Sequence, residues 1–480
     1  MVDIQAGCFG NFFRKNKSQP QPASPEPSKL ETECSKASGC LNLCCDYSYA
    51  PPSTRWNITD PVPTYSPPQG PELDSFQRQE FVSIVNPTLD SLSPSLRQLS
   101  LKIHGKYLYD HPELGFEERY AHDLLCAYME THGFQVTRHY LGLDTAWRAE
   151  YTHGKGGSTL GINSEMDGLS GIGHACGHNL IAISGCGVAI AVKATLEALN
   201  IPGKIILLGT PAEERVGGKI ILLERGAYKN MDLCIMCHPG PGPSNSANFG
   251  TTTAMQEAEV EYFGHSAHAG AAPWEGTNAL DAAFLAYSSI SVLRQQIKPD
   301  HRIHGILGGK NWTANGMYHL SKAVIPDYAH MTWIVRAPTH GEVGVFAERV
   351  KACFEAAALA TACKVKINFT SPYYGLLQNS VLGKEFADKV GRNYGMVSSD
   401  GDGSSASTDF GNVSFAIPTE PKGGNHTPAF AKAAATMAAH EATMTVTKGL
   451  ALTGLRALQD KAFLKAVKAE FETRTQASVI

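Results

Sequence analysis

The chain has 480 residues, of which 43% are hydrophobic and 18% charged, and a formal net charge of -4 at pH 7. This balance excludes a globally disordered chain and argues against a nucleic-acid-binding protein, which would carry a basic surplus. No uninterrupted apolar run reaches the roughly 18–20 residues of a membrane-spanning helix, and the first residues lack the apolar stretch of a secretory signal. With 12 scattered cysteines, these features predict a reduced, cytoplasmic chain.

The first segment, residues 1–72, differs from the rest in composition. It holds eleven of the 27 prolines and almost no apolar periodicity, so we predict a disordered, proline-rich tail. Its cysteines either form a small metal or lipidation site or are free thiols, and they are Cys8, Cys34, Cys40, Cys44 and Cys45. Because no second half of a zinc site stands at finger spacing, we favour free thiols.

Strands and helices alternate in the next part of the chain, residues 73–253. A strand is predicted over TLGINSEM, followed by a long helix rich in small residues, the strand KIILLGT, the helix GKIILLERGAY and the strand DLCIMCH. Such alternation is typical of an α/β fold with a doubly wound, mostly parallel sheet.

The pattern changes near residue 252. The alternating strand TTAMQEAEVEYFG begins a run of longer strands and helices, which predicts an α+β unit over residues 254–370 inserted into the first domain. Residues 371–480 return to the first domain with a helix, a strand over VSFAI and a long terminal helix that starts near Phe430.

Side chains that bind metals follow successive strands of the predicted parallel sheet. The carboxyl ends of such strands line the ligand crevice, so these groups should meet at one edge. Cysteine, histidine and carboxylate together suit zinc or a neighbouring divalent transition ion. The groups are Glu165-Met166-Asp167, Cys176-Gly177-His178, Glu213-Glu214 and Cys237-His238.

The sequence resembles a known family, the M20 metallopeptidases and amidohydrolases, and within it the dipeptidase and aminoacylase-like branches. The resemblance covers roughly residues 88–457 and rests on several ordered motifs: His111-Pro112-Glu113-Leu114-Gly115, GIGHACGHN, TPAEE, CHPG, GHSAHAGAAPWEGTNALDA, SSASTDFGNVSFAIP and GGNHTPAF. It implies that residues 73–253 and 371–480 form a catalytic domain, and that residues 254–370 form a lid or dimerisation domain.

The resemblance also implies roles for individual residues. The metal ligands would be Cys176, His178, Glu214, His238 and His426. Glu213 would be the general base that activates the attacking water, and Asp167 would orient a ligand histidine. These ligands would hold one or two divalent ions, with zinc favoured and manganese or cobalt as alternatives. His268 in the lid would stabilise the oxyanion or grip the substrate, in some members from a partner subunit.

The sequence departs from the family in two places. Many members have His-x-Asp where this chain has Glu165-Met166-Asp167, so Glu165 is left out of the predicted ligand set. In the lid, the nine residues 316–324 separate Asn315 from the Ile325-Pro326 pair, which indicates an insertion of about eight residues. This insertion reshapes the substrate mouth, disturbs the role of Asn315 or is an artefact of how the coding sequence was assembled.

We therefore predict metal-dependent hydrolysis of an amide bond in a small substrate with a free carboxylate, which is a dipeptide in the favoured interpretation. Arg336 is either the residue that binds this carboxylate or part of a structural ion pair. The alternatives are an aminoacylase that acts on N-acyl amino acids and a catalytically inactive binding protein of the same fold. We expect neither a nucleic-acid partner nor a membrane span, and the lid domain allows a homodimer.

Overall fold

A six-stranded mixed sheet forms the centre of the computed structural model, which describes residues 75–105, 113–240, 245–309, 324–399, 406–417, 419–420 and 426–477. Its strands are β1 (Gln135–Arg138), β2 (Trp147–His153), β3 (Thr159–Glu165), β4 (Gly203–Thr210), β5 (Leu233–Ile235) and β12 (Thr419–Glu420). They lie in the order β1-β2-β4-β3-β5-β12. The pairs β3–β4, β3–β5 and β5–β12 are parallel, whereas β1–β2 and β2–β4 are antiparallel. The prediction of an α/β fold with a mostly parallel sheet is confirmed.

Helices cover this sheet on both sides. Ile162, Leu207 and Ile235 belong to the larger hydrophobic core, whereas Ile206 and Leu208 belong to a second one, as expected when neighbouring strand residues point to opposite faces. The α-helices in this part of the described chain are α1 (Ser75–Gly105), α2 (Arg119–Thr131), α3 (His178–Ala198), α4 (Gly218–Glu224), α7 (Ser380–Tyr394), α8 (Phe410–Ser414), α9 (Pro428–Ala434), α10 (Met437–Gln459) and α11 (Lys461–Ala477).

The second sheet is antiparallel and has four strands, which pack against two helices. These elements are β7 (Ala254–Phe263), α5 (Ala279–Leu293), β8 (Arg302–Gly308), β9 (Tyr328–Ala337), α6 (His340–Thr361) and β10 (Lys364–Phe369). The strand order is β10-β7-β9-β8. Along β9 every second side chain is buried, and Met331, Trp333 and Val335 pack with α5 and α6 in a separate hydrophobic core. A short parallel pair, β6 (Ser246–Asn248) and β11 (Val397–Ser399), stands apart from both sheets.

Two predicted elements near the carboxyl end are wrong. The apolar run VSFAI is not a strand, because Phe410–Ser414 form the short helix α8, in which Phe410 and Val413 are buried. A short apolar run cannot be assigned to strand or helix by periodicity alone. The single long terminal helix is three helices, because the side chain of Thr436 caps the start of α10 and the chain becomes extended at Asp460.

One helix among the described residues, α3, is long and apolar enough to cross a membrane by length and composition. Its stretch is 89% buried inside the protein, and the core helix of a non-membrane fold passes the same test, so this is weak evidence for a span. The sequence predicts α3 as a long helix but not as a membrane span, because polar residues such as Ser184 and Lys193 interrupt the apolar run.

The tail at residues 1–72, with its five cysteines, lies outside the described residues, as do His111, Asn315 and residues 316–323 of the lid insertion. The predicted disorder of the tail and the effect of the insertion therefore stay predictions. So do the domain boundaries at residues 72, 253 and 370. The seven cysteines in the described part of the chain form no disulfide with one another.

Candidate metal centre

Loops at the carboxyl ends of β3, β4 and β5 bring the predicted ligands to one edge of the sheet. Glu214 follows β4 and His238 follows β5, while Cys176 and His178 stand at the start of α3. His426, the distant member in sequence, precedes α9, and its backbone N–H donates to the carbonyl of Ala175 at 3.1 Å. The predicted ligands, which are far apart in the sequence, therefore lie close together in the fold.

The five predicted ligands form two groups of three that share Cys176. One group is Cys176, His178 and His238, and the other is Cys176, Glu214 and His426; within each group the candidate ligand atoms all lie within 4.8 Å of one another. Cys176 Sγ is 3.2 Å from His238 Nε2, and Glu214 Oε2 is 3.2 Å from His426 Nε2. The cluster therefore has the dimensions of a site for one or two ions.

Hydrogen bonds turn two of the histidines so that Nε2 faces the cluster. His178 Nδ1 lies 2.8 Å from the carbonyl oxygen of Asp167 and 3.0 Å from its Oδ1, and His238 Nδ1 lies 2.8 Å from the carbonyl oxygen of Pro239. These oxygens can only accept, so each Nδ1 donates, and the Nε2 lone pair remains for a metal. Asp167 thus contacts His178 as the sequence analysis predicts.

Two buried polar atoms in the cluster support a metal. Among the described residues, neither His178 Nε2 nor Glu214 Oε1 has a hydrogen-bond partner. Such atoms are rare in native structures and often mark an ion site. Burial alone would lower the pKa of His178, but Asp167, Cys176 and Glu165 outweigh it and raise the pKa well above its usual value. A bound cation would take the place of that proton.

Glu213, the predicted base, is 5% exposed and lies beside this cluster. Burial raises its pKa well above the usual value, and the neighbouring carboxylates Glu165 and Glu214 raise it further. A carboxylate with a raised pKa suits proton transfer near neutral pH. The Tyr373 hydroxyl donates to the carbonyl oxygen of Glu213 at 2.8 Å, which holds its backbone in place.

The turn before Glu213 depends on a buried glutamate that the sequence analysis missed. Glu118 Oε1 accepts a hydrogen bond from the N–H of Ala212 at 2.8 Å, and Ala212 has the left-handed φ of 56°. A Cβ at Gly115 would lie 2.9 Å from the Cβ of Ala212, so glycine permits the close approach of this loop. Burial raises the pKa of Glu118 to about 7, with Asp167 as the next cause. The second glutamate of GFEERY was the available signal.

Lys219, which sequence reasoning did not single out, also lies beside this cluster. Lys219 Nζ lies 2.6 Å from Glu165 Oε1 and 2.6 Å from Asp409 Oδ1, and all three side chains are fully buried. Glu165 Oε2 is 3.3 Å from His178 Nε2, so Glu165 stands next to the predicted ligands without belonging to either group of three. A lysine at the start of the apolar helix GKIILLE was the signal that could have found it.

His268 is not brought next to this cluster within one chain. Its Nδ1 accepts from the N–H groups of Gly270 and Ala271 at 3.2 and 3.1 Å, and its backbone pairs with Val324. Met255, near the start of β7, pairs with Tyr373 beside Glu213, whereas His268 follows the other end of this strand. The strand β7 has 10 residues. At a rise of ~3.4 Å per residue its two ends lie tens of ångströms apart, so His268 and Glu213 are near opposite ends of this strand.

Arg336 lies near the start of β7, opposite Met255 in the sheet register. Its Nη1 donates to the Ser407 hydroxyl at 2.7 Å, and burial lowers its pKa. The hydroxyl is a neutral partner, so this contact tests neither of the two predicted roles of Arg336. Whether Arg336 binds the substrate carboxylate stays a prediction.

This chain is similar to known proteins over most of its length. The family model for peptidase family M20/M25/M40 matches residues 161–429. Xaa-Arg dipeptidase from Mus musculus is 39% identical over 397 residues, which cover 78% of this chain and 89% of that protein. The Homo sapiens protein of the same name is 38% identical over 399 residues, with 78% and 88% covered.

Among solved structures, a dinuclear metal-binding peptidase of the M20 family from Bacillus subtilis has the same fold. It is 17% identical, with a TM-score of 0.55 over 76% of this chain and 99% of that one. The family model spans the segment from β3 to the start of α9, which contains all five predicted ligands and Glu213. This chain is therefore a member of peptidase family M20/M25/M40.

Proposed function

We propose that this chain is a metal-dependent dipeptidase that hydrolyses the amide bond of a dipeptide with a free carboxylate. The single observation that carries the proposal is the position of Glu213, a buried carboxylate with a raised pKa beside five clustered ligand side chains. The two relatives named Xaa-Arg dipeptidase support the substrate class, because this chain covers 89% and 88% of their length. We extend the proposal to dipeptides whose second residue is arginine or another basic residue.

The ligand side chains would hold two divalent cations, for which we propose zinc. Cys176 belongs to both groups of three, and a thiolate with histidine ligands favours zinc over harder ions. Manganese and cobalt remain the alternatives that metal analysis must separate. When bound, the cations supply Lewis-acid polarisation of the amide carbonyl and make a water molecule more acidic.

The side chains of this protein perform the remaining steps. Glu213 accepts a proton from the attacking water and later donates it to the leaving amine nitrogen. Asp167 holds His178 through Nδ1, and its Oδ2 accepts the N–H of Glu214 at 3.0 Å, so one carboxylate orients two ligands. The buried surroundings of Glu213 exclude bulk water and strengthen its interaction with developing charge.

The homodimer and the cytoplasmic location are also proposals. Phe284 and Val292 on α5 and Ile306 on the edge strand β8 are 57%, 73% and 70% exposed, and an apolar edge strand invites pairing with another chain. In such a dimer, His268 would act on the site of the partner chain. Sedimentation equilibrium tests the dimer, and cell fractionation tests the location.

The test is amine release from a panel of substrates by the metal-loaded protein and its Glu213→Gln variant. The panel contains dipeptides ending in arginine, lysine or alanine, together with N-acetyl amino acids. We expect the protein to prefer the basic dipeptides, and the variant to retain its metal while kcat falls by about 10²–10⁴-fold, the usual contribution of a general base.

Glu130→Gln is the matched control, because Glu130 is exposed on α2 and pairs with Arg138 away from the cluster. It should keep full activity. A preference for N-acetyl amino acids would replace the dipeptidase with an aminoacylase, and a metal-loaded protein that turns over no substrate would favour the binding protein.

A further inference from the structure

Lys219 is a fully buried lysine whose position is set by a close backbone approach. It lies in the first turn of α4, and a Cβ on the preceding Gly218 would stand only 1.9 Å from the carbonyl oxygen of Pro211. Only glycine therefore lets α4 begin directly beneath the loop that carries Glu213. This packing directs the Lys219 side chain into the interior, at the edge of the predicted metal centre.

The ammonium of Lys219 lies among three buried carboxylates. Glu165, Glu213 and Asp409 offer oxygen atoms within 4.8 Å of one another, a spacing that would hold a metal ion. Lys219 Nζ is 2.6 Å from the nearest oxygen of both Glu165 and Asp409, and the Lys219 N–H donates to Asp409 Oδ2 at 2.8 Å. The lysine thus supplies the positive charge of this cluster.

Burial of an ammonium is unfavourable unless opposite charges surround it. Burial alone would lower the pKa of Lys219, but Asp409 and Glu165 outweigh it and raise the pKa well above its usual value. Lys219 is therefore charged in the folded protein. Its charge compensates carboxylates that would otherwise be left buried without a counter-ion.

Glu165 links this charge to the metal centre. Its Oε1 contacts Lys219, while its Oε2 lies 3.3 Å from Nε2 of His178, the atom that faces the metal ligands. A glutamate in that position, without its lysine, would be a competing metal ligand. With Lys219 present, the ammonium already compensates the negative charge of Glu165 through Oε1.

We propose that Lys219 is a positioning residue whose ammonium occupies the place of a cation between Glu165, Asp409 and Glu213. It thereby keeps Glu165 out of the metal ligand set and leaves Glu213 free to act as the base. This inference rests on the proposed function for its catalytic part, whereas its metal-binding part stands on the geometry alone. Lys219 would act through these carboxylates and not on the reacting atoms.

The test compares the variants Lys219→Met, Lys219→Arg and Lys389→Met in the full chain. Lys389 is the matched control, because it is also buried and paired with a glutamate, Glu385 at 3.1 Å, but it lies on α7. Zinc per chain is measured by elemental analysis after loading and dialysis. Circular dichroism reports the fold, and kcat and KM are measured on a basic dipeptide.

We expect Lys219→Met to bind one zinc ion more per chain than the natural protein, held by the three carboxylates. Because Glu213 would then be occupied, kcat should fall by about 10²-fold while KM changes little. Lys219→Arg should keep the natural zinc content and at least about tenfold higher kcat than Lys219→Met, because its charge is retained. Lys389→Met should match the natural protein in both measurements.

The double variant Lys219→Met with Glu165→Gln separates positioning from a purely structural ion pair. It removes one charge of each sign, so we expect it to fold, to lose the extra zinc ion and to regain kcat at least about tenfold over Lys219→Met. A Lys219→Met protein with natural zinc content overturns the proposal. So does a double variant that stays as inactive as Lys219→Met, or that fails to fold while Lys389→Met folds.

The two proposals fail in different ways. If the natural protein binds zinc but hydrolyses no dipeptide, the proposed function fails, and the zinc content of Lys219→Met still decides the role of Lys219. If the natural protein hydrolyses dipeptides but Lys219→Met keeps its zinc content, the role of Lys219 fails alone.

Discussion

At the scale of single residues, Asp167 shows how one buried carboxylate serves two ligands. Its Oδ1 lies 3.0 Å from His178 Nδ1, and its Oδ2 accepts the N–H of Glu214 at 3.0 Å. Burial would raise the pKa of Asp167, but His178 and these hydrogen bonds outweigh it and lower the pKa. The carboxylate is therefore an acceptor on both sides, as its two partners require.

The substitution Asp167→Asn should weaken metal binding. An asparagine can accept from only one of the two donors, and its NH₂ group would face the N–H of the other. We expect zinc affinity to fall by about 10–100-fold, the usual effect of losing such a partner, as measured by competition with a chromogenic chelator. Asp123→Asn is the control, because Asp123 is exposed and pairs with Arg138; equal affinity loss in both variants would contradict the prediction.

Four candidate ligands could be found from sequence because they stand in short motifs after successive strands, whereas His426 followed only from the family resemblance. The four are Cys176, His178, Glu214 and His238. Cys176 and His178 are two positions apart, and Glu213 and Glu214 are adjacent. Lys219 and Asp409, in contrast, are 190 positions apart and belong to no motif that links them. Their pairing follows from the packing of α4 against α8, which local pattern does not encode.

At the scale of elements, helix starts are among the features that sequence specifies directly. Asn278 and Asn379 are the N-caps of α5 and α7, and each side chain accepts from an N–H in the first turn of its helix. Asn379 does more, since its Nδ2 donates to the carbonyl of Val467 on α11 at 2.8 Å. A cap residue can thus also join two helices.

The substitutions Asn278→Ala and Asn379→Ala should therefore differ in their effect on the free energy of unfolding. Loss of the cap alone should cost about 1 kcal/mol at Asn278. At Asn379 we expect about 1 kcal/mol more, because a buried hydrogen bond between helices is lost as well. Urea unfolding of the metal-loaded chain measures both values, and equal losses would show that the bond to Val467 adds nothing.

Element type was harder to predict where apolar runs are short. The long α3 and the alternating β7 have a clear period, and both were predicted with the correct type. The run VSFAI is too short to show a helical or strand period. Its position in the fold depends on the preceding residue, Asn412. The Asn412 side chain accepts from the N–H of Tyr374 and donates to the carbonyl of Pro372. Those partners come from another segment, so sequence alone could not identify them.

At the scale of the whole molecule, buried histidines make folding stability depend on pH. His440 is fully buried at the start of α10, and its Nε2 lies 2.8 Å from the Ser93 hydroxyl on α1. Burial lowers the pKa of His440, and Arg97 lowers it further. Burial likewise lowers the pKa of His122 on α2.

The sign of the effect follows from these lowered pKa values. An unfolded histidine titrates near 6.5, so below that pH the unfolded chain binds protons that the folded chain does not. The stabilising contribution is complete above pH 6.5 and is lost as the pH falls. We expect urea unfolding to show lower stability at pH 5.5 than at pH 7.5, by up to about 1.4 kcal/mol per pH unit for each such histidine.

The variant His440→Gln tests the contribution of a single group. Glutamine can contact Ser93 but does not titrate, so the variant should lose less stability than the natural protein between the two pH values. Loss of metal at low pH affects both proteins alike and cancels in the difference. Parallel losses in the two proteins would show that His440 contributes nothing to the pH dependence.

The amino-acid sequence by itself determined the α/β class, the order of the main elements and four of the five candidate metal ligands, whereas His426 followed only from the family resemblance. These features are local, because a helix period, a strand end or a Cys-x-His spacing is complete within a few residues. The tertiary structure decided which partners the buried ionisable groups meet: the N–H of Ala212 for Glu118, and the carboxylates of Glu165 and Asp409 for Lys219. A buried polar or charged group is tolerated only beside a hydrogen-bond partner or a counter-charge. That partner is supplied by distant segments, which meet only in the folded chain.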